Sequence, residues 1–194
     1  MSKLLETIKI IKGSVPFLTF HQQRLNESRR QLFQVDDEID LGAAIQAPST
    51  DQVYRCRVIY ERTIEKVEYH HYKAKKFHCF KVIAANTIVY DFKYLDRTPI
   101  NQLIASKGLA DDILIIKNGL VTDTSIANVA FWDQKKWLTP AMPLLKGTTR
   151  ERLLTAGYIE TADIKLTDLK TFSRMALMNA LMDFTVVENF NLEV

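Results

Sequence analysis

The chain is 194 residues long with 47% hydrophobic residues, enough to bury a real core, so long disorder is excluded. The formal net charge of +3 is small and spread out, except at Lys73, Lys75 and Lys76, which read as a solvated edge or loop and not as a nucleic-acid patch; the balance suits small anions such as phosphates and carboxylates. Cys56 and Cys79 form no metal-type pair, the opening residues lack a signal peptide's apolar run, and no later stretch is apolar enough to span a bilayer, so a cytoplasmic protein with reduced thiols and no membrane partner is expected.

In chain order, residues 4–11 mix β-branched and charged side chains, and Lys12-Gly13-Ser14 supplies turn chemistry before Phe17-Leu18, which predicts a hairpin. A helix follows to about Phe33, with Thr19 and Gln22 spaced as a capping box and Leu25, Ser28 and Leu32 at helical intervals. From Val53 to Tyr60 the residues Tyr54, Cys56, Val58 and Tyr60 alternate with Arg55, Arg57 and Ile59, a strand with two arginines opposite the tyrosines. Segments 64–72 and 77–84 continue in strand style. These residues make a small N-terminal domain, 1–85, ahead of a larger one, 86–194.

In the second part Thr98 reads as an N-cap with Pro99 at the first helical position and Gly108 past the end. Strands are predicted at 113–116 and 127–132, joined through Asn118-Gly119. Thr148 and Glu151 form a second possible capping box, with Gly157 closing that helix. A short helix at 167–172, a strand at 175–178 and another near Val186 complete the pattern, an α+β chain without repeats.

Signatures of serine hydrolases, P-loop enzymes and zinc proteases are absent. His70, His71 and His78 lie near Cys79, but strand alternation separates neighbouring side chains, so no metal site is expected. Four segments instead carry a resemblance. They are Phe17-Leu18-Thr19-Phe20-His21-Gln22-Gln23-Arg24-Leu25, Phe92-Lys93-Tyr94-Leu95-Asp96-Arg97, the stretch from Asn118 through Asp123 and Asn128 to Trp132 with Leu138-Thr139-Pro140 after it, and Leu144-Leu145-Lys146-Gly147-Thr148-Thr149-Arg150. Together they resemble the class IV aminotransferases, pyridoxal 5'-phosphate (PLP) enzymes of fold type IV that include branched-chain and D-amino-acid aminotransferases and aminodeoxychorismate lyase.

The resemblance implies a two-domain α+β fold and a role for each segment. Lys93 would be the catalytic lysine that holds PLP covalently; read alone it is a solvent-exposed lysine. Arg24 would grip the cofactor phosphate, which a guanidinium fork does bidentately. Asp123 stands where relatives carry glutamate and would keep the pyridine nitrogen protonated. Gly147, Thr148 and Thr149, at a helix start, would cradle the phosphate from the other side.

Met178-Asn179-Ala180-Leu181-Met182 is similar to a stretch of the aminodeoxychorismate lyases and adds Asn179 and Ala180 to the cofactor-side residues. Arg55 and Arg57, taken as lying on an edge strand, are candidates for substrate carboxylates. The resemblance further implies a homodimer acting on a small anionic substrate. It points first to 4-amino-4-deoxychorismate lyase, then to a branched-chain or D-amino-acid aminotransferase. Relatives carry a strand before the position of Leu5-Glu6-Thr7, so the first domain reads as shortened; this keeps open a non-catalytic relative serving as a binding subunit.

Overall fold

The computed structural model describes residues 2–193 and divides into two compact units. One holds the residues up to Ala74 together with Phe92–Asp96, and the other holds Lys75–Asp91 and the chain from Arg97 onward. Both mix helix and sheet, the α+β class read from the sequence.

The first unit is a three-stranded antiparallel sheet, β1 (Leu4–Ile11), β2 (Val53–Tyr60) and β3 (Ile64–His71) in that order, with helices α1 (Leu18–Phe33) and α2 (Leu41–Ala44). Strand alternation sends Leu4, Glu6, Ile8 and Ile10 to the face that also carries Cys56, Val58 and Tyr60, and there they pack on Leu25, Phe33 and Leu41. Arg55 and Arg57 lie on the opposite face as expected, but β2 is the central strand and not an edge. The predicted hairpin before α1 does not form. Ile11 and Ser14 close a tight turn through Lys12 and Gly13, both at positive φ, and β1 pairs instead with the distant β2. Nor does Thr19 cap α1: the left-handed backbone of Phe17 (φ 57°) starts the helix at Leu18, without a side-chain cap. The Gln22 side chain is used elsewhere, donating to the Ile39 carbonyl and accepting from the Leu41 N–H, which ties the chain entering α2 to α1.

The second unit is built on a mixed sheet. Its main path runs β11 (Asp183–Val187), β10 (Arg174–Asn179), β7 (Asn128–Trp132), β6 (Leu120–Thr124), β5 (Asp112–Lys117), β4 (Cys79–Ala84) and β12 (Asn191–Glu193), with β8 (Trp137–Pro140) and β9 (Ile159–Ala162) branching from β7. Helices α3 (Thr98–Ile104) and α4 (Thr148–Thr155) and a 3₁₀ turn at Leu166–Thr171 complete it. The sheet is buried on both faces: Val129, Phe131, Met175 and Leu177 enter one core, Ala130, Ala176 and Met178 the other. Parallel pairing of β4 with β5 assigns residues 75–84 to this unit, so the division falls at Ala74 and not at 85.

Several local expectations shift for identifiable reasons. Asn118 and Gly119, at φ 53° and 79°, make the two-residue turn predicted, yet it joins β5 to β6 and not to the next strand. The segment 120–124, polar from Thr122 onward, therefore forms a strand that alternation did not reveal. Thr98 is the first residue of α3, behind an Arg97 N-cap, and α4 starts after Gly147 with no side-chain cap, so neither predicted threonine cap is used. Strand β12 was unforeseen; it adds in parallel to β4.

Candidate active site

In the first unit a carboxylate on a core-facing strand position organises the predicted residues. Glu6 has no exposure, and a bare carboxylate there would be strongly disfavoured. Helix α1 answers it with two side chains one turn apart. Arg24 donates from Nε to Glu6 Oε1 at 2.8 Å and from Nη2 to Oε2 at 2.6 Å, and His21 Nδ1 lies 2.6 Å from Oε2. Burial alone would raise the Glu6 carboxyl, but the Arg24 charge and the His21 contact hold it down to about 2. His21 moves the other way: burial lowers it, opposed by Glu6 and assisted by the charges of Arg24 and Lys93. Its Nδ1, facing a carboxylate oxygen, carries a proton and donates it there.

Lys93 belongs to this neighbourhood. The segment Phe92–Asp96 runs along the outer edge of β1, where Leu5 N–H donates to the Lys93 carbonyl at 2.9 Å and Leu95 N–H to the Lys3 carbonyl at 2.8 Å. Phe92 and Tyr94 pack on the first unit's core, which leaves Lys93 half-buried between two anchored aromatics. It is not the solvent-exposed lysine that it would be without the resemblance. This places Lys93 in the first unit, on a return of the chain, and not in the larger unit where the sequence reading had it.

The second unit carries the predicted acid and anion residues. Asp123 sits on β6, 5% exposed, with every oxygen engaged: Oδ1 accepts from Asn128 Nδ2 at 2.6 Å and Oδ2 from the Leu145 N–H at 2.9 Å. Burial pushes its carboxyl up to about 6, against the backbone N–H groups of Leu145 and Leu144, the Asn128 amide and the charge of Arg150. Asn128 also donates to the Leu145 carbonyl at 2.8 Å. Its amide therefore straps β7 to the segment entering α4. Gly147 is required there, because a Cβ at that position would overlap Asn128 Oδ1.

Past Gly147, α4 opens with Thr148, Thr149 and Arg150, all buried, and its N-terminus carries no side-chain cap, an arrangement that suits an anion. Arg150 donates from Nη2 to the Pro140 carbonyl at 2.9 Å, while its buried Nε has no hydrogen-bond partner. An uncapped helix start tied to a buried acid fits a phosphorylated pyridine: the helix start suits a phosphate, the acid a protonated ring nitrogen.

Other predicted residues have more local roles. Asn179 organises the β10–β11 hairpin, accepting from Leu181 and Met182 N–H and donating to the Ile126 carbonyl, with half-buried Ala180 in the same turn. Arg57 is held by Glu68 at 2.8 Å, whereas exposed Arg55 lies in register between Lys9 and His70. The sequence reading missed Glu6, His21, Asn128 and Arg150. A glutamate in phase with Leu4, Ile8 and Ile10 was the available signal for Glu6; the other three stood inside the motifs without an assigned role.

The pattern of the family described as amino-transferase class IV matches residues 3–190. An uncharacterized protein of Haemophilus influenzae is 38% identical over 185 residues, covering 93% of this chain and 98% of its own. Among solved structures, one from Haemophilus somnus, provisionally named a 4-amino-4-deoxychorismate lyase, is 32% identical with a TM-score of 0.88, covering 93% of this chain and 97% of that one. The PLP-bound form of a hypothetical aminotransferase from Mycobacterium tuberculosis shares the fold at 20% identity, with a TM-score of 0.77 and coverage of 99% and 81%. The segments that hold Arg24, Lys93, Asp123 and Gly147 all fall within the matched residues, and the chain belongs to the class IV aminotransferase family.

Proposed function

We propose that the chain is a PLP-dependent 4-amino-4-deoxychorismate lyase, which converts its substrate to p-aminobenzoate and pyruvate. The observation that carries the cofactor assignment is Asp123, a buried acid tied through Leu145 to an uncapped helix start. The likeness to the H. somnus protein over nearly its full length favours the lyase over an aminotransferase. PLP, when bound, supplies an aldehyde that takes up the substrate amine and a ring that accepts the electron pair released at the adjoining carbon.

Lys93 would anchor the cofactor, and its amine would be the base that takes the proton from the amine-bearing carbon. Arg24 grips the phosphate, its guanidinium plane fixed by the two bonds to Glu6. Thr148, Thr149 and the N–H groups after Gly147 bind phosphate oxygens, and Asp123 holds the proton on the ring nitrogen. Arg55 and Arg57 have no part in this reading, because both lie on the sheet face opposite Glu6 and Glu68 engages Arg57. Loss of the enolpyruvyl group as pyruvate then leaves an aromatic ring, with no oxidant or second substrate required.

The test supplies 4-amino-4-deoxychorismate to the PLP-loaded protein and follows p-aminobenzoate by fluorescence and pyruvate by a coupled dehydrogenase. Equimolar products from the wild type and none from Lys93→Ala are expected. Multiple turnovers with an amino donor and a keto acid, without p-aminobenzoate, would establish the aminotransferase reading instead.

A further inference from the structure

We infer that Asn128 is a positioning residue: its amide locks the Asp123 carboxylate to the turn that enters α4, so that the ring acid and the anion-binding turn form one rigid piece. The inference rests on the reading of Asp123 as the partner of the cofactor's ring nitrogen. The geometry is closed on three sides. Asn128 Nδ2 donates at once to Asp123 Oδ1 (2.6 Å) and the Leu145 carbonyl (2.8 Å); the Leu145 N–H returns a bond to Asp123 Oδ2 (2.9 Å); and Asn128 Oδ1 lies over Gly147, where only a missing side chain gives it room. Two acceptors around one amide nitrogen also fix its orientation.

A phosphorylated pyridine carries its ring nitrogen and its phosphate at a nearly fixed separation. A protein binding both ends gains most if its acid and its anion turn keep the matching separation before the ligand arrives. Asn128 supplies that link within one unit, between β6 and the start of α4. It has a second effect, because a donor to an ionised carboxylate favours ionisation. Around Asp123 the charged side chain is Arg150 on α4; Asn128 on β7 and the N–H groups of Leu144 and Leu145 are neutral. Asn128 is thus the side-chain donor that helps the acid ionise against its burial.

The experiment titrates purified cofactor-free protein with pyridoxamine 5'-phosphate, which cannot bond covalently to Lys93, and follows intrinsic tryptophan fluorescence across pH. Dividing wild-type affinity by that of Asp123→Asn cancels the ligand's own ionisation and leaves the limb due to Asp123. In Asn128→Ala that limb should move to higher pH by about one unit, the effect of losing one hydrogen bond to a charged group. A uniform loss of affinity with no shift would make Asn128 merely structural and overturn the inference. Identical profiles for wild type and Asp123→Asn would overturn the ring-nitrogen reading itself, a separate outcome. The clamp is also tested without ligand: Gly147→Ala should destabilise the wild type several-fold more, as an unfolding equilibrium constant, than it destabilises Asn128→Ala. Additive effects would show that the two side chains do not share the space.

Discussion

Asp123→Asn tests whether a residue set for chemistry weakens the fold that carries it. The Asp123 carboxyl is raised from its ordinary 3.8 to about 6 by burial, so the folded state binds a proton more tightly than the unfolded chain does. Stability is therefore lost as pH rises from about 4 through about 6, and the full penalty, about 3 kcal/mol, persists above that range. Between about pH 5 and about pH 8 it grows by about 1 to 2 kcal/mol by the same linkage. Asparagine has no such titration. Its own fault, an NH₂ facing either Asn128 Nδ2 or the Leu145 N–H, costs about 1 to 3 kcal/mol, but equally at both pH values. Denaturant unfolding of cofactor-free wild type and Asp123→Asn at the two pH values gives the double difference in which that fault cancels. The mutant should gain on the wild type by about 1 to 2 kcal/mol at the higher pH. Equal differences at both pH values would refute the argument and mean that the acid titrates as it does in water.

Arg24→Ala should weaken PLP binding by about ten- to a hundred-fold, the range for one hydrogen-bonded charged contact, and lower the rate at saturating cofactor far less; equilibrium dialysis against PLP measures it. Glu6→Gln should cost about 3 to 5 kcal/mol of stability at neutral pH, because it strands Arg24 against a buried amide. The Glu6 carboxyl is held below its unfolded value, so its contribution is complete above about pH 4.5 and disappears as pH falls through about 2; the mutant's deficit should shrink over that window in acid unfolding curves.

Strand periodicity found most of this molecule and failed where its premise fails. β2 was legible because its two faces differ, one apolar and in the core, the other carrying Arg55 and Arg57. β6 was not, because Thr122, Asp123 and Thr124 are polar yet all buried, each satisfied by hydrogen bonds that alternation does not detect. The helix-start rules missed for a related reason: Phe17 and Gly147 set their helices by backbone conformation, and the threonines behind them are left for other uses. The position of Lys93 followed from motif alone, but its unit did not. Nothing local to residues 92–96 reveals that they complete a sheet begun near residue 4.

That completion bears on how the protein is made. β1 is flanked by β2 along its length and by the Lys93 segment at its Leu4 end, so the ribosome must extend well past Ala74 before that end of the strand's second edge is covered. Until then the nascent first unit presents an open row of backbone donors and acceptors, the kind of surface that recruits strands from neighbouring chains. A fragment ending at Ala74 would keep that surface permanently. The peptide that delivers the candidate catalytic lysine is thus also the guard of a sticky edge, which couples the arrival of chemistry to the end of a vulnerable stage in synthesis.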